Sequence, residues 1–272
     1  MLLHPCAKIN LGLNIVSRRP DGYHNLETVF YPIPIFDTLE VTTSHSLNLS
    51  TYPPLDCPPD RNLVVRAYNL LAADYDLPLV SIELRKDIPS QAGMGGGSSD
   101  GAFMLRLLNE EFQLGIDTRK LQDYATKLGA DCPFFITAEP AYATGIGEQL
   151  EPLENLREQL RDLYIAIVKP PVAVSTREAY AAITPRKPDV CCREVVRMPV
   201  GEWRDLLTND FEPPLFAIHP QLASIKAKLY DMGAVYAQMS GSGSALFGLF
   251  HSVPQQLEQT FPDCFTFAGV LG

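Results

Sequence analysis

The chain has 272 residues, 46% of them hydrophobic, and a formal net charge of −10 at neutral pH. This is enough apolar material for one large or two modest domains, and the acidic balance argues against a general nucleic-acid surface, which needs a basic field. No apolar run reaches membrane-spanning length, and Lys8 and Asn10 interrupt what would be the apolar part of a secretory signal, so a soluble, cytoplasmic protein is expected.

The first element is clear. Residues 7–16 alternate, with Ile9, Leu11, Leu13 and Ile15 on one face and Lys8, Asn10, Gly12 and Asn14 on the other. This predicts a half-buried strand, with Lys8 on its solvated side. A turn at 18–22 follows, then strands near 26–33 and 38–43. The segment from Tyr52 to Pro59 carries four prolines and reads as an irregular connection. A helix is expected over 61–75 and a strand over 79–85.

Pro89 to Ala102 reads P-S-Q-A-G-M-G-G-G-S-S-D-G-A. So many glycines cannot be the interior of a helix or strand, because each forfeits chain entropy and packing. The stretch feeds an amphipathic helix, with Ser98, Ser99 and Asp100 as expected capping residues. Unpaired N–H groups and the helix dipole would make this an anion site, with phosphate the leading ligand; the plain alternative is a flexible loop. It is not a Walker A loop, since Ser98 stands where that motif needs lysine. Gly101, expected in the first helical turn, should loosen the helix slightly.

Further along, a helix is expected at 118–128. Gly129-Ala130-Asp131-Cys132-Pro133 ends it and starts another, with Asp131 near the cap and Pro133 in the first turn. A strand pair is expected at 141–153 around Gly145-Ile146-Gly147. Polar 154–162 marks a domain boundary. Beyond it come a strand at 163–169, helices near 175–182 and 218–232, strands at 235–239 and 244–250, and a helix at 254–260. Gly241-Ser242-Gly243 is a second glycine-rich turn, readable as a plain β-turn or as part of a site. Without regular βαβ alternation, the fold class is α+β in two layers. Cys6, Cys57, Cys132, Cys191, Cys192 and Cys264 form no C-x-x-C pair and lie at no metal spacing with histidine, so reduced thiols are expected.

Taken singly, Asp131 reads as a helix cap and Lys8 as a solvated lysine. Four segments read in order change this. A-K-I-N-L at 7–11, D-G-Y-H at 21–24, P-x-x-A-G-M-G-G-G-S-S at 89–99 and L-G-A-D-C-P-F-F at 128–135 together resemble the GHMP kinases. The likeness continues through G-I-G-E at 145–148, N-D-F-E-P at 209–213 and M-S-G-S-G-S-A-L-F-G at 239–248, and so spans nearly the whole chain.

The resemblance implies a two-domain fold. An N-terminal ATP-binding domain over 1–157, with a left-handed βαβ unit, would precede a ferredoxin-like C-terminal domain over 158–272. It implies ATP as phosphoryl donor, usually with Mg²⁺, and, from D-G-Y-H, a small-molecule acceptor: 4-diphosphocytidyl-2-C-methyl-D-erythritol, phosphorylated on its 2-hydroxyl. On the matching positions, Asp131 would orient or deprotonate that hydroxyl, and Lys8 would hold Asp131 ionised. Pro89, Ala92, Gly93, Met94, Gly95, Gly96, Gly97, Ser98 and Ser99 would form the ATP loop, with Asn62 near adenine and Lys86 just before the loop. Tyr23 would stack on the cytosine, His24 would hydrogen-bond its edge, Tyr180 would form a second aromatic wall, and Asn10 would contact substrate. The resemblance names no metal ligand. Gly241-Ser242-Gly243 is expected near the substrate diphosphate or the ATP loop. Asp100 places a carboxylate beside a phosphate site, which is repulsive unless it caps the helix or reaches a metal; the cap is the first expectation.

Overall fold

A computed structural model describes residues 1–181 and 183–271. By contacts the chain groups into two units. One comprises residues 1–7, 35–90 and 95–139; the other comprises 8–34, 91–94 and 140–272. The glycine-rich loop therefore contributes its first part, 91–94, to the second unit and the remainder to the first.

The first unit is a sheet under a layer of helices. Its strands are β1 (Leu2–Leu3), β4 (Thr38–Thr43), β5 (Asn48–Tyr52) and β6 (Val80–Arg85), ordered β1-β4-β6-β5. Leu39 and Val41 of β4, and Val80, Ile82 and Leu84 of β6, point inward while their neighbours alternate outward, the pattern of a sheet covered on one face. β5 and β6 run parallel, joined through helix α1 (Leu63–Ala72), which is the expected βαβ unit. Asn62 caps α1, its side chain accepting from Val64 N at 3.1 Å. Helices α2 (Gly96–Glu111), α3 (Thr118–Leu128) and α4 (Cys132–Thr137) complete the layer. Helix α3 buries Leu121, Tyr124, Ala125 and Leu128, one helical stripe. Gly101 belongs to the packing of this layer, because a Cβ there would stand 2.9 Å from Leu63 Cβ.

The second unit holds two sheets. In one, the long strands β2 (Cys6–Arg18) and β3 (His24–Phe36), whose residues 6–7 and 35–36 are assigned to the first unit, are followed by β7 (Ala141–Thr144) and β8 (Gln149–Pro152), in that order. The other is built from β9 (Tyr164–Lys169), β10 (Tyr236–Met239), β11 (Leu246–Phe250) and β12 (Phe265–Val270), ordered β10-β11-β9-β12 and antiparallel throughout. With helices between β9 and β10 and between β11 and β12, this is the ferredoxin-like arrangement implied by the resemblance. The remaining helices are α5 (Leu156–Leu160), α6 (Thr176–Ala181), α7 (Cys192–Val195), α8 (Trp203–Leu206), α9 (Glu212–Ile218), α10 (Pro220–Asp231) and α11 (Leu257–Thr260). Leu215, Leu222, Ile225 and Leu229 of α9 and α10 close over Ala166, Val168, Ala237, Met239 and Leu246 to form the core of this unit.

Three expectations change. Strands β1, β5 and β12 and helices α5 and α7–α9 lie outside the expected elements. β2 is not half-buried, since every residue from Cys6 to Ile15 is buried on both faces. And α2 begins at Gly96, ahead of the expected serine caps. No helix of the described residues is long and apolar enough to cross a membrane, and all six cysteines are free thiols.

Candidate active site

The polar face of β2 builds the first part of the site within the second unit. Lys8 is only 3% exposed, which overturns its reading as a solvated lysine. A buried ammonium needs partners. Its Nζ donates to Asn10 Oδ1 at 2.5 Å and lies 4.9 Å from the centre of the Phe30 ring. Asn10 Nδ2 donates to Thr28 Oγ1 at 3.0 Å, and the Thr28 hydroxyl donates to Gly12 O. Asn10 is thereby fixed, its oxygen held toward the lysine.

The first part of the glycine loop is pinned beside this strand. Lys8 N donates to Met94 O at 3.0 Å, Ala245 N to Ala92 O at 3.1 Å and Ser240 Oγ to Gly93 O at 2.9 Å. Ala92 and Met94 are buried apolar anchors. Gly93, at φ +73°, lies so close to Ser240 that no side chain could fit. The Gly241-Ser242-Gly243 turn thus packs on the loop and is more than a plain connection.

In the first unit the chain leaves the loop through Gly95, at φ +70°, which is the N-cap of α2 without any side-chain cap. Gly96 approaches Lys86 and Ile88 closely, and Gly97 faces open space. No side chain caps the start of α2, and its first-turn N–H groups are the kind of donors an anion site uses. Ser99 is buried in the helix, while Ser98 is partly exposed and stands near the Cys132 thiol. Burial pushes that thiol up to about 12; Ser98 opposes the rise, nearby Asp131 adds to it, and Arg66 opposes it. Asp131 takes the cap position of α4, yet its side chain makes no capping hydrogen bond, so the helix-cap reading does not account for it.

Asp100 is not a cap. It lies inside α2, 3% exposed, and accepts from Lys86 Nζ at 2.6 Å. Lys86 also pairs with Asp37, which further accepts from Asp87 N at 2.7 Å and Ile88 N at 2.9 Å. Burial works to lower the Lys86 ammonium, but Asp100 and Asp37 outweigh it and the group is raised. Lys86, placed by the sequence just before the loop, is thus held beneath the start of α2 by two carboxylates. Pro89, half-buried, follows directly.

Of the base-recognition candidates, His24 and Tyr180 lie together in the second unit, their rings stacked at 5.2 Å with a 26° interplanar angle. Tyr180 also meets Phe211 edge-on at 4.9 Å. Tyr23 stands out from the turn, 62% exposed, with its N–H on Asp21 Oδ1 and its carbonyl accepting from Arg19 N.

Family models for the GHMP kinases N-terminal domain and the GHMP kinases C-terminal domain match residues 62–139 and 193–265. A 4-diphosphocytidyl-2-C-methyl-D-erythritol kinase of Parabacteroides distasonis is 50% identical over the full length of both chains. One of Bacteroides fragilis is 48% identical over 98% of each. The chain belongs to the 4-diphosphocytidyl-2-C-methyl-D-erythritol kinases, within the GHMP kinases. A crystal structure of a 4-(cytidine 5'-diphospho)-2C-methyl-D-erythritol kinase matches with a TM-score of 0.84 and 33% identity, covering 99% of this chain and 98% of that one. The mevalonate kinase of Methanococcus jannaschii, at 12% identity and a TM-score of 0.73, shares the fold.

For a GHMP kinase, the buried group of Lys86, Asp37 and Asp100 is the feature the sequence did not announce. Burial, reinforced by the Asp37 carboxylate and opposed by Lys86, pushes the Asp100 carboxyl up to about 7. An aspartate in the unfolded chain titrates near 3.9. Between these values the folded protein keeps a proton that the unfolded chain has released. The contribution of Asp100 to stability is thus fullest below the unfolded value and is lost as pH rises through about 7. Asp100→Asn removes one of two carboxylates competing for a single ammonium. Its stability advantage in denaturant unfolding is expected to grow from pH 5 to pH 8, reaching about 2–4 kcal/mol. An advantage that does not change with pH would contradict this.

Proposed function

We propose that this protein transfers the terminal phosphoryl group of ATP to the 2-hydroxyl of 4-diphosphocytidyl-2-C-methyl-D-erythritol, giving the 2-phosphate and ADP. This is a step of isoprenoid precursor synthesis by the non-mevalonate route, and we place it in the cytoplasm. One observation carries the reading. The chain joins a glycine loop opening on a helix start to an Asp-Gly-Tyr-His turn, in a sequence half identical end to end to a kinase named for that substrate. The domain division after residue 157 belongs to the same reading, with the two family models falling on either side of it.

Phosphoryl transfer asks the protein for positioning and electrostatics. The N–H groups from Gly93 to Ser99 hold the ATP phosphates, supported by the dipole of α2. Asn62 and the start of α1 lie toward adenine, and Lys86 sets the base of the loop. Among the described residues no three His, Cys, Asp or Glu side chains gather into a metal cage. Magnesium, which the family implies, would come with ATP and would offset negative charge on its phosphates. Asp131 orients the acceptor hydroxyl and takes its proton. Lys8 supplies positive charge that keeps a carboxylate ionised and eases loss of the proton, and Asn10, which holds Lys8, also contacts the acceptor. Tyr23 stacks on cytosine, His24 reads its edge, and Tyr180 steadies His24 from behind.

The deciding assay is ADP release with the cytidyl substrate beside mevalonate, homoserine and galactose. Turnover confined to the cytidyl substrate is expected; equal turnover of another alcohol would overturn the reading. Tyr23→Ala and His24→Ala are each expected to raise KM for that substrate by about tenfold or more, the worth of one stacking or base-edge contact. KM for ATP should stay unmoved. Unchanged substrate KM in both variants would remove the cytosine pocket from the proposal.

A further inference from the structure

The N-D-F-E-P stretch at 209–213 has no part in the chemistry just described, yet Asn209, Phe211 and Glu212 are buried and the polar groups of Asn209 and Glu212 are engaged. Asn209, 2% exposed, donates from Nδ2 to Met239 O at 2.8 Å and to Gly241 O at 2.9 Å, while its Oδ1 accepts from Phe211 N at 2.9 Å. Both amide hydrogens are used. Glu212 accepts from Met239 N at 2.8 Å on one oxygen and from Lys226 Nζ at 2.6 Å on the other. Met239 closes β10, the end strand of its sheet, so its outward N–H and C=O have no neighbouring strand. The motif satisfies both, as buried backbone groups require.

The same segment is tied to β2. Leu13 N donates to Thr208 O at 2.8 Å, Asp210 N to Leu13 O at 2.9 Å, and Ile15 N to Asp210 Oδ2 at 2.7 Å. One short segment therefore fixes the strand that carries Lys8 and Asn10 and, through Met239 and Gly241, the turn on which Gly93 rests. The contact between turn and loop leaves no slack: a Cβ on Gly241 would lie 3.1 Å from Gly93 O and 3.3 Å from Asn10 Oδ1.

We propose that Asn209 and Glu212 are positioning residues for the ATP loop: by holding Met239 and Gly241 they set the turn at Ser240–Gly243, and the turn sets Gly93. The proposal rests on the loop being the ATP cradle. Without Asn209 the turn relaxes, Gly93 shifts, and the N–H groups lose their alignment on phosphate.

The test compares steady-state kinetics of the full-length wild type, Asn209→Ala and Glu212→Gln, with thermal unfolding alongside. KM for ATP is expected to rise about tenfold in Asn209→Ala, the equivalent of losing one or two such hydrogen bonds. In the milder Glu212→Gln it should rise about threefold, with KM for the alcohol substrate unmoved in both. A purely structural role would lower melting temperature and the active fraction, which reduces apparent kcat and leaves KM alone. An unchanged KM for ATP in folded Asn209→Ala overturns the proposal; if that variant does not fold, an unchanged KM in Glu212→Gln does so. Failure of the wild type to consume ATP would instead strike the reading of the loop itself.

Discussion

Asp131→Ala is expected to lower kcat by about 10²–10⁴-fold, the range for a lost general base, while ATP still binds with near wild-type affinity. The separation follows from where the residue sits. In the proposed function ATP is held by backbone N–H groups between Gly93 and the start of α2, whereas Asp131 begins a different helix. Nor should the substitution unfold the protein. The side chain makes no capping hydrogen bond, Pro133 fixes the first turn of α4, and Phe134 and Phe135 are buried behind it. Asp131→Asn sharpens the test, because asparagine is as good at a helix start as aspartate but cannot take a proton. If Asp131 serves only the helix, Asn should restore turnover. If it accepts the hydroxyl proton, both variants should be equally slow. Single-turnover phosphorylation measures this step directly, and a rate in Asp131→Asn near that of the wild type would remove Asp131 from the chemistry.

The sequence spoke most plainly where composition is extreme. A run of glycines followed by an amphipathic stretch can do little except bend and then coil, so loop and helix were both legible. Where the helix starts was not. Serine and aspartate are strong caps, and that preference pointed to Ser98–Asp100, but α2 begins two residues before Ser98 because Gly95 adopts the left-handed conformation that ends the loop. Asp100, thus moved inside the helix, found Lys86 and Asp37, partners that no local pattern could connect.

A similar limit applied at β2. Alternation showed which residues share a face, and it correctly grouped Lys8 with Asn10. It could not tell whether that face meets water or protein, since a polar face looks the same in either case until its partners are known. Lys8 is buried because Asn10, Phe30 and the backbone around Met94 surround it. Strand β5, Asn-Leu-Ser-Thr-Tyr, is hard to see in the sequence for a simpler reason: it is an edge strand with no fully buried residue, so its apolar signal is faint. Motif resemblance, by contrast, named Tyr23, His24 and Tyr180 before any geometry, and two of them prove to be in ring contact.

Gly93→Ala is expected to abolish measurable ATP turnover and to destabilise the protein by about 3 kcal/mol or more, combining backbone strain with forced overpacking. Strain is the smaller of the two effects: at φ +73° a side chain costs about 1–2 kcal/mol. Collision costs more, because the added Cβ would stand 2.0 Å from Ser240 O, 2.9 Å from Ser240 C and 3.2 Å from Gly243 N. These are backbone atoms, and the turn they belong to is held by Asn209 through Gly241 and by the Ala245–Ala92 hydrogen bond, so it cannot swing aside as a side-chain tip would. Relief must come from the loop, which on the proposed function would take its N–H groups off the ATP phosphates. Gly97→Ala is the control. A Cβ there meets nothing within 4 Å and lies in the first turn of a helix, where alanine is favoured by about 0.5–1 kcal/mol. Gly97→Ala should therefore fold at least as well as the wild type. Thermal unfolding and ATP titration of the pair separate steric exclusion from a general intolerance of substitution in the loop. Gly93→Ala with wild-type melting and ATP affinity would show that Ser240 does not bear on the loop in solution.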